Sequence, residues 1–108
     1  MLINTSTSFK KDDIVTIKNT LGEEIISKFV EESDTHYVLS KPLALGMNQQ
    51  GFQFMPVVVS GVTDSSNLQF PKSLVMWAVP TETNISSEYI QVTTGLAVPG
   101  NKGQILHK

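Results

Sequence analysis

The sequence contains neither cysteine nor arginine among its 108 residues. The absence of cysteine excludes disulfides and thiolate chemistry, and it is compatible with a reducing compartment. The absence of arginine removes the planar guanidinium that grips phosphate or guanine at two points. No apolar stretch is long enough for a membrane span, and the first residues lack the basic and then apolar order of a signal peptide. We therefore predict a cytoplasmic protein without a membrane partner.

Charge and catalytic residue types are also sparse. A formal net charge of −2 offers no general attraction for nucleic acid, so such binding would need a local patch. His36 and His107 have no partners at metal-ligand spacing, and the scattered glycines form no phosphate-binding loop. A catalytic Ser-His-acid triad is a spatial arrangement, so the sequence leaves it open. His36 lies beside a turn rich in serine and aspartate, and it is more simply interpreted as a turn residue than as a catalytic one. We predict no enzyme activity, no metal or other cofactor and no small-molecule substrate.

Alternating apolar residues predict an all-β domain of five strands. The first three form a meander, because the residues between them, Asn19 to Gly22 and Glu31 to Thr35, are those that reverse a chain. Pro42 is expected to end the third strand and to begin a loop over residues 43–51, and Pro56 marks an edge position or a bulge. The predicted strands are residues 14–18, 25–30, 37–40, 52–60 and 74–79.

Outside the strands, the composition divides the chain into three parts. Residues 1–12 are predicted to be an N-terminal arm anchored at Phe9, residues 13–80 the folded domain, and residues 81–108 a C-terminal extension and tail. Residues 86–95 suit a short helix or a strand equally. A helix would be capped by Asn84 or Ser86 and would stop at Gly95.

The spacing within the meander resembles the first motif of the Sm-like (LSm) proteins, which include the RNA chaperone Hfq. Gly22 follows the first strand, Ile25 stands three residues later, and an acidic turn carries Asp34 before the strand that opens at His36. Ser27 occupies the position of the family's second glycine. In an alignment without gaps the acidic position falls on Ser33, and the family's Met-Asn pair falls on His36 and Tyr37.

The segment from Phe70 to Pro80 is similar to the second Sm motif. An apolar residue, a basic residue and a small residue lead into the closing strand, and Lys72 is the basic residue here. Pro71 stands where the family often has arginine or lysine. The lysine-only composition and the partial match are similar to the Sm-like proteins of tailed phages that infect marine bacteria.

The resemblance implies a small, strongly bent, five-stranded antiparallel barrel that assembles as a cyclic homo-oligomer of roughly five to seven subunits. In such rings the fourth strand of one subunit pairs with the fifth of its neighbour. The resemblance also implies an RNA-binding ring for single-stranded RNA. The RNA-binding residues would be Asp34, His36, Tyr37 and Lys72.

Two alternatives stay open. A structural or adaptor ring could keep the Sm scaffold without binding RNA, because a fold does not dictate a function. At the level of single residues, His36 or Tyr37 could cover the core or pack on a neighbouring subunit, and Lys72 could be a solvated turn residue. Trp77 is predicted to lie in the core or in a subunit interface rather than to stack on a base.

Overall fold

The structure, a computed structural model, describes residues 9–58, 60–61 and 67–95. The N-terminal arm before Phe9 and the tail from Leu96 lie outside these described residues. Within the described ranges the chain forms six strands, a 3₁₀ turn and one helix. In chain order these are β1 (Ile14–Asn19), β2 (Glu24–Glu32), β3 (His36–Asn48), β4 (Gly51–Pro56), β5 (Asn67–Pro71), the 3₁₀ turn Lys72–Leu74, β6 (Val75–Pro80) and α1 (Thr83–Thr94).

The strands form one antiparallel sheet in the order β4-β3-β2-β1-β6. The predicted predominance of antiparallel β-structure is confirmed, but the predicted closed barrel of five strands is wrong. The sheet is open, and its additional strand is β5 at residues 67–71, which none of the predicted strands covers. Only part of the predicted strand 52–60 is observed as a strand. Its first part, β4, ends at Pro56, whose nitrogen has no hydrogen to donate. β5, which begins at Asn67, also pairs with β3. β4 and β5 therefore lie against different halves of β3.

The third strand does not end at Pro42, as predicted, but continues to Asn48. Ile26 pairs with Leu43 and Lys28 pairs with Ser40, so Ser27 alone lies opposite both Lys41 and Pro42. This arrangement is a β-bulge, and Lys41 at the bulge has a φ of 53°, which non-glycine residues rarely adopt. The bulge accommodates the proline within the strand. The predicted loop over residues 43–51 is therefore mainly strand.

Ser27 is completely buried at the bulge. Its hydroxyl donates a hydrogen bond of 2.7 Å to the carbonyl oxygen of Ser40. A small side chain fits this buried position, and serine also supplies a side-chain donor to the β3 backbone beside the bulge. The residue in the second glycine position of the Sm motif thus lies where the β2–β3 register breaks.

One face of the sheet, which we call the core face, carries the main hydrophobic cluster. Phe9 and Phe29 pack with ring centroids 5.5 Å apart, so the first described residue is anchored on this cluster. Aromatic pairs at such distances add to the free energy gained by burying apolar area. The buried members of the cluster are Val15, Ile17, Ile25, Phe29 and Leu39.

The opposite face, which we call the helix face, is partly covered by α1. The segment that suited a helix or a strand equally is a helix, and it begins earlier than the predicted caps imply. The Glu82 side chain accepts a hydrogen bond of 3.1 Å from the Ile85 amide and takes the N-cap role predicted for Asn84 or Ser86. The helix stops at Gly95, as predicted, because Gly95 adopts a left-handed conformation with φ 76°.

Tyr89 connects α1 to the bulge in β3 through hydrogen bonds of its hydroxyl group. Its hydroxyl donates to the carbonyl oxygen of Lys41 at 2.5 Å and lies 3.2 Å from that of Ser40. The side chain is fully buried, and its ring meets that of Phe54 at 6.1 Å. In return, the Lys41 ammonium donates to the carbonyl oxygen of Thr93 at 3.3 Å. Burial raises the pKa of the Tyr89 hydroxyl above its ordinary value, so this group remains a donor.

We predict that Tyr89→Phe lowers the free energy of unfolding by about 1–3 kcal/mol, because it leaves a buried carbonyl without its donor. The measurement is urea unfolding followed by circular dichroism. Tyr37→Phe is the matched control, since the Tyr37 hydroxyl makes no hydrogen bond to the described part of the chain. Equal losses in both variants would contradict the role assigned to the Tyr89 hydroxyl.

Candidate nucleic-acid interface

The turn between β2 and β3 is built around Ser33. Its amide donates to the carbonyl oxygen of His36 at 2.8 Å. Its side-chain oxygen accepts from the amides of Thr35 at 3.3 Å and His36 at 3.1 Å. Serine thereby supplies the short-range side-chain acceptor that organises such turns. Ser33, the residue that an alignment without gaps places at the acidic position of the motif, makes these bonds, and Asp34 stays exposed.

Pairing of β5 with β3 brings the second predicted motif to this turn. His36 lies opposite Pro71 and Tyr37 opposite Phe70. The Lys72 amide then donates to the carbonyl oxygen of Thr35 at 2.8 Å, which fixes the 3₁₀ turn beside the β2–β3 turn. The structure therefore brings Lys72 from a distant part of the chain to Asp34, His36 and Tyr37, so the four residues predicted for RNA binding lie together.

The cationic member of this group is already paired. The Lys72 ammonium lies 2.6 Å from a carboxylate oxygen of Glu32 and 5.0 Å from the centre of the Tyr37 ring. The hydrogen bond to Glu32 is the main cause that raises the pKa of Lys72, and the charge of Asp34 adds to it. Lys72 lies in the 3₁₀ turn with its side chain 29% exposed, and the Glu32 carboxylate compensates its charge.

The two aromatic members differ in their surroundings. Tyr37 packs against the core cluster, as one alternative predicted, and burial raises the pKa of its hydroxyl, with the Glu32 charge as a further cause. His36 is only half-buried, and its Nδ1 lies 2.9 Å from the Thr35 hydroxyl oxygen. That bond orients the imidazole ring and leaves the second ring nitrogen, Nε2, for another partner.

Sequence reasoning missed Glu32 as a member of the group. Its partner Lys72 is forty positions away in the chain, so only the β3–β5 pairing could have revealed the contact. A weak signal existed, because Glu32 lies within the predicted turn from Glu31 to Thr35. We use the name turn cluster for Glu32, Asp34, His36, Tyr37 and Lys72.

A second feature is the pair of free sheet edges. Within the described ranges, β4 and β6 each pair with a single neighbour, and each is an end of the strand order. Exposed apolar side chains concentrate near these edges, although such edges normally carry charges or are covered. Trp77 is 60% exposed, so it does not belong to the core that was one of its predicted locations. The exposed residues are Leu74, Met76, Trp77 and Val79 at the β6 end and Met47 and Met55 at the β4 end.

The chain matches no protein-family model, and no curated protein matches it.

Among the described residues, no group of three or more histidine, cysteine, aspartate and glutamate side chains could hold a metal ion. The described helix is not long and apolar enough to span a membrane.

We predict that Glu32→Gln lowers the pKa of Lys72 towards its ordinary value, because the variant removes the charged acceptor. The measurement is an NMR titration of the Lys72 side chain. Glu31→Gln is the matched control, since the neighbouring Glu31 carboxylate is not among the causes of the shift. An equal decrease in both variants would show that general negative charge, and not the Glu32 contact, raises the pKa.

Proposed function

We propose that this chain is a subunit of a cytoplasmic Sm-like ring that binds single-stranded RNA. The observation that carries the proposal is the turn cluster. Asp34, His36, Tyr37 and Lys72, the residues to which the Sm resemblance assigns RNA contact, share one end of the sheet. An arrangement of aromatic, imidazole and ammonium groups offers stacking surfaces and hydrogen-bond donors to unpaired bases. The role is binding, without chemistry on the RNA.

The strand order supports the ring. In a comparison with the Sm fold, β4 and β5 together correspond to the fourth Sm strand, and β6 corresponds to the fifth. The two strands that would form the ring then lie at opposite ends of the sheet. Pairing the β4–β5 edge of one copy with β6 of the next would bury the exposed apolar side chains. It would also satisfy the unpaired backbone groups of both edges, and the repeated contact would close on itself.

Base contacts, rather than phosphate contacts, are expected to provide most of the affinity. Because Glu32 neutralises Lys72, each subunit has little positive charge to offer to a phosphate at this site. The exposed part of His36 and the edge of Tyr37 remain for stacking and hydrogen bonding. One such site binds RNA weakly. In a ring, binding at one site raises the effective concentration of the RNA at the next site, so the overall affinity increases.

An adaptor ring that does not bind RNA is the second candidate, and the same ion pair favours it. Glu32 and Asp34, together with the adjacent Glu31, outnumber the one lysine of the turn cluster. Their charges would repel a polyanion at low salt. The two candidates share the ring and differ only in what the turn cluster contacts.

We predict that the protein is a homo-oligomer and that Met76→Glu reduces its mass to that of the monomer. A charge on the exposed edge strand would be buried without a partner in the assembled ring. Multi-angle light scattering measures the mass. Leu21→Glu, in the β1–β2 turn where the side chain is 84% exposed, is the matched control and should leave the assembly intact. A monomeric parent protein would contradict the ring.

We predict that fluorescein-labelled oligo-U or oligo-A binds, that His36→Ala weakens binding by about tenfold or more, and that Lys72→Ala weakens it less. Glu32→Gln should strengthen binding and make it more salt-dependent, because it frees the Lys72 charge. Fluorescence anisotropy measures all four proteins, and Lys11→Ala is the matched lysine control. Tyr37 is left unchanged because it also packs on the core. An assembled ring without RNA binding, even in Glu32→Gln, would exclude these ligands and favour the adaptor.

A further inference from the structure

α1 covers only part of the helix face. Beside the start of the helix, the face of β1, β2, β3 and β6 is uncovered and encloses a cavity of about 330 Å³, which we call the trough. Ile26 and Leu45 form its floor, Trp77 and Val79 line the side of β6, and Ile85 lines the side of α1. The cavity is in the size range of binding pockets, and apolar side chains dominate its lining.

Acidic groups stand at the rim of the trough. Glu24 and Glu82 both line it, and Lys18 is the one cation among the described lining residues. Lys18 lies 3.8 Å from Glu24 and compensates that carboxylate, which leaves the rim with a net negative charge. An occupant that suits the trough therefore combines apolar side chains with positive charge.

The segment of residues 96–108 has this combination. It lies outside the described residues, and its sequence contains no aspartate or glutamate. Lys102 and Lys108 supply positive charge, and Ile105 and Leu106 form an adjacent apolar pair. The segment thus complements the trough in both charge and hydrophobicity.

The segment also starts within reach of the trough. Gly95, in its left-handed conformation, ends α1 and turns the chain away from the helix direction. The ten-residue distance along the helix from Gly95 back to Ile85 is about 15 Å. An extended chain from residue 96 to residue 105 covers up to about 33 Å. The connection therefore spans the distance from the end of the helix to its beginning with length to spare.

We propose that residues 96–108 bind in the trough of their own chain, with Ile105 and Leu106 against Trp77 and the lysines near Glu24 and Glu82. The bound segment covers the part of the helix face that α1 leaves open. It covers the side of Trp77 that lines the trough. This proposal depends on neither ring formation nor RNA binding.

Trp77 is the one tryptophan of the sequence, so its fluorescence reports on the trough directly. In the full chain we expect low acrylamide quenching. In the full-chain variant Ile105→Asp/Leu106→Asp, quenching should rise and the emission should shift to longer wavelength, because the charged side chains leave the apolar cavity. Leu21→Asp is the matched control and should change neither quantity. Identical spectra of the double variant and the parent would overturn the proposal.

A charge test separates the segment from a second copy as the occupant. Lys102→Glu/Lys108→Glu should expose Trp77, and adding Glu24→Lys should restore its protection. Light scattering of the same samples gives the mass at each concentration. The protection of Trp77 from quenching could instead rise with the mass of the assembly and stay unchanged in both charge variants. That result would identify a neighbouring copy on β6 as the occupant and contradict binding by residues 96–108. Protection that follows the charges at constant mass would support the proposal.

Discussion

The hydrogen bond from the Tyr89 hydroxyl to the bulge in β3 is the interaction on which the rest of the structure depends. At the bulge the carbonyl oxygens of Ser40 and Lys41 accept part-buried hydrogen bonds from side chains, and a carbonyl removed from water without a donor is costly. Ser27 and Tyr89 supply those donors, one from the neighbouring strand and one from α1. The same contact therefore keeps β3 continuous past Pro42 and holds the helix on the sheet.

The candidate site follows from the length of β3. Its first half pairs with β5 and so carries Lys72 to the β2–β3 turn, while its second half pairs with β4 and extends the sheet to a free edge. The placement of the RNA-binding candidates and the exposure of the apolar edge thus have one structural origin. The Glu32–Lys72 pair then sets the electrostatic character of the turn cluster, because it compensates the one lysine charge of the cluster.

Local patterns predicted the parts of the fold that local physics determines. Alternation identified β1 and β2, and Gly95 marked the end of α1, because each signal lies within a few residues of the feature it specifies. The passage of β3 through Pro42 could not be predicted, since it requires a left-handed lysine and a hydroxyl from Tyr89. For the candidate site, the Sm resemblance named four residues, and the fold places these four in the turn cluster. Glu32 joins them only through a non-local strand pairing.

Native-state hydrogen exchange tests the central claim most directly, because it measures the opening free energy of each element separately. If Tyr89 joins α1 to the bulge, the amides in the middle of α1 should share one opening free energy with those of β2 and β3 around Ser27. The helix would then open only together with the sheet. Exchange of the α1 amides at a clearly lower free energy than the β2 and β3 amides would contradict the account.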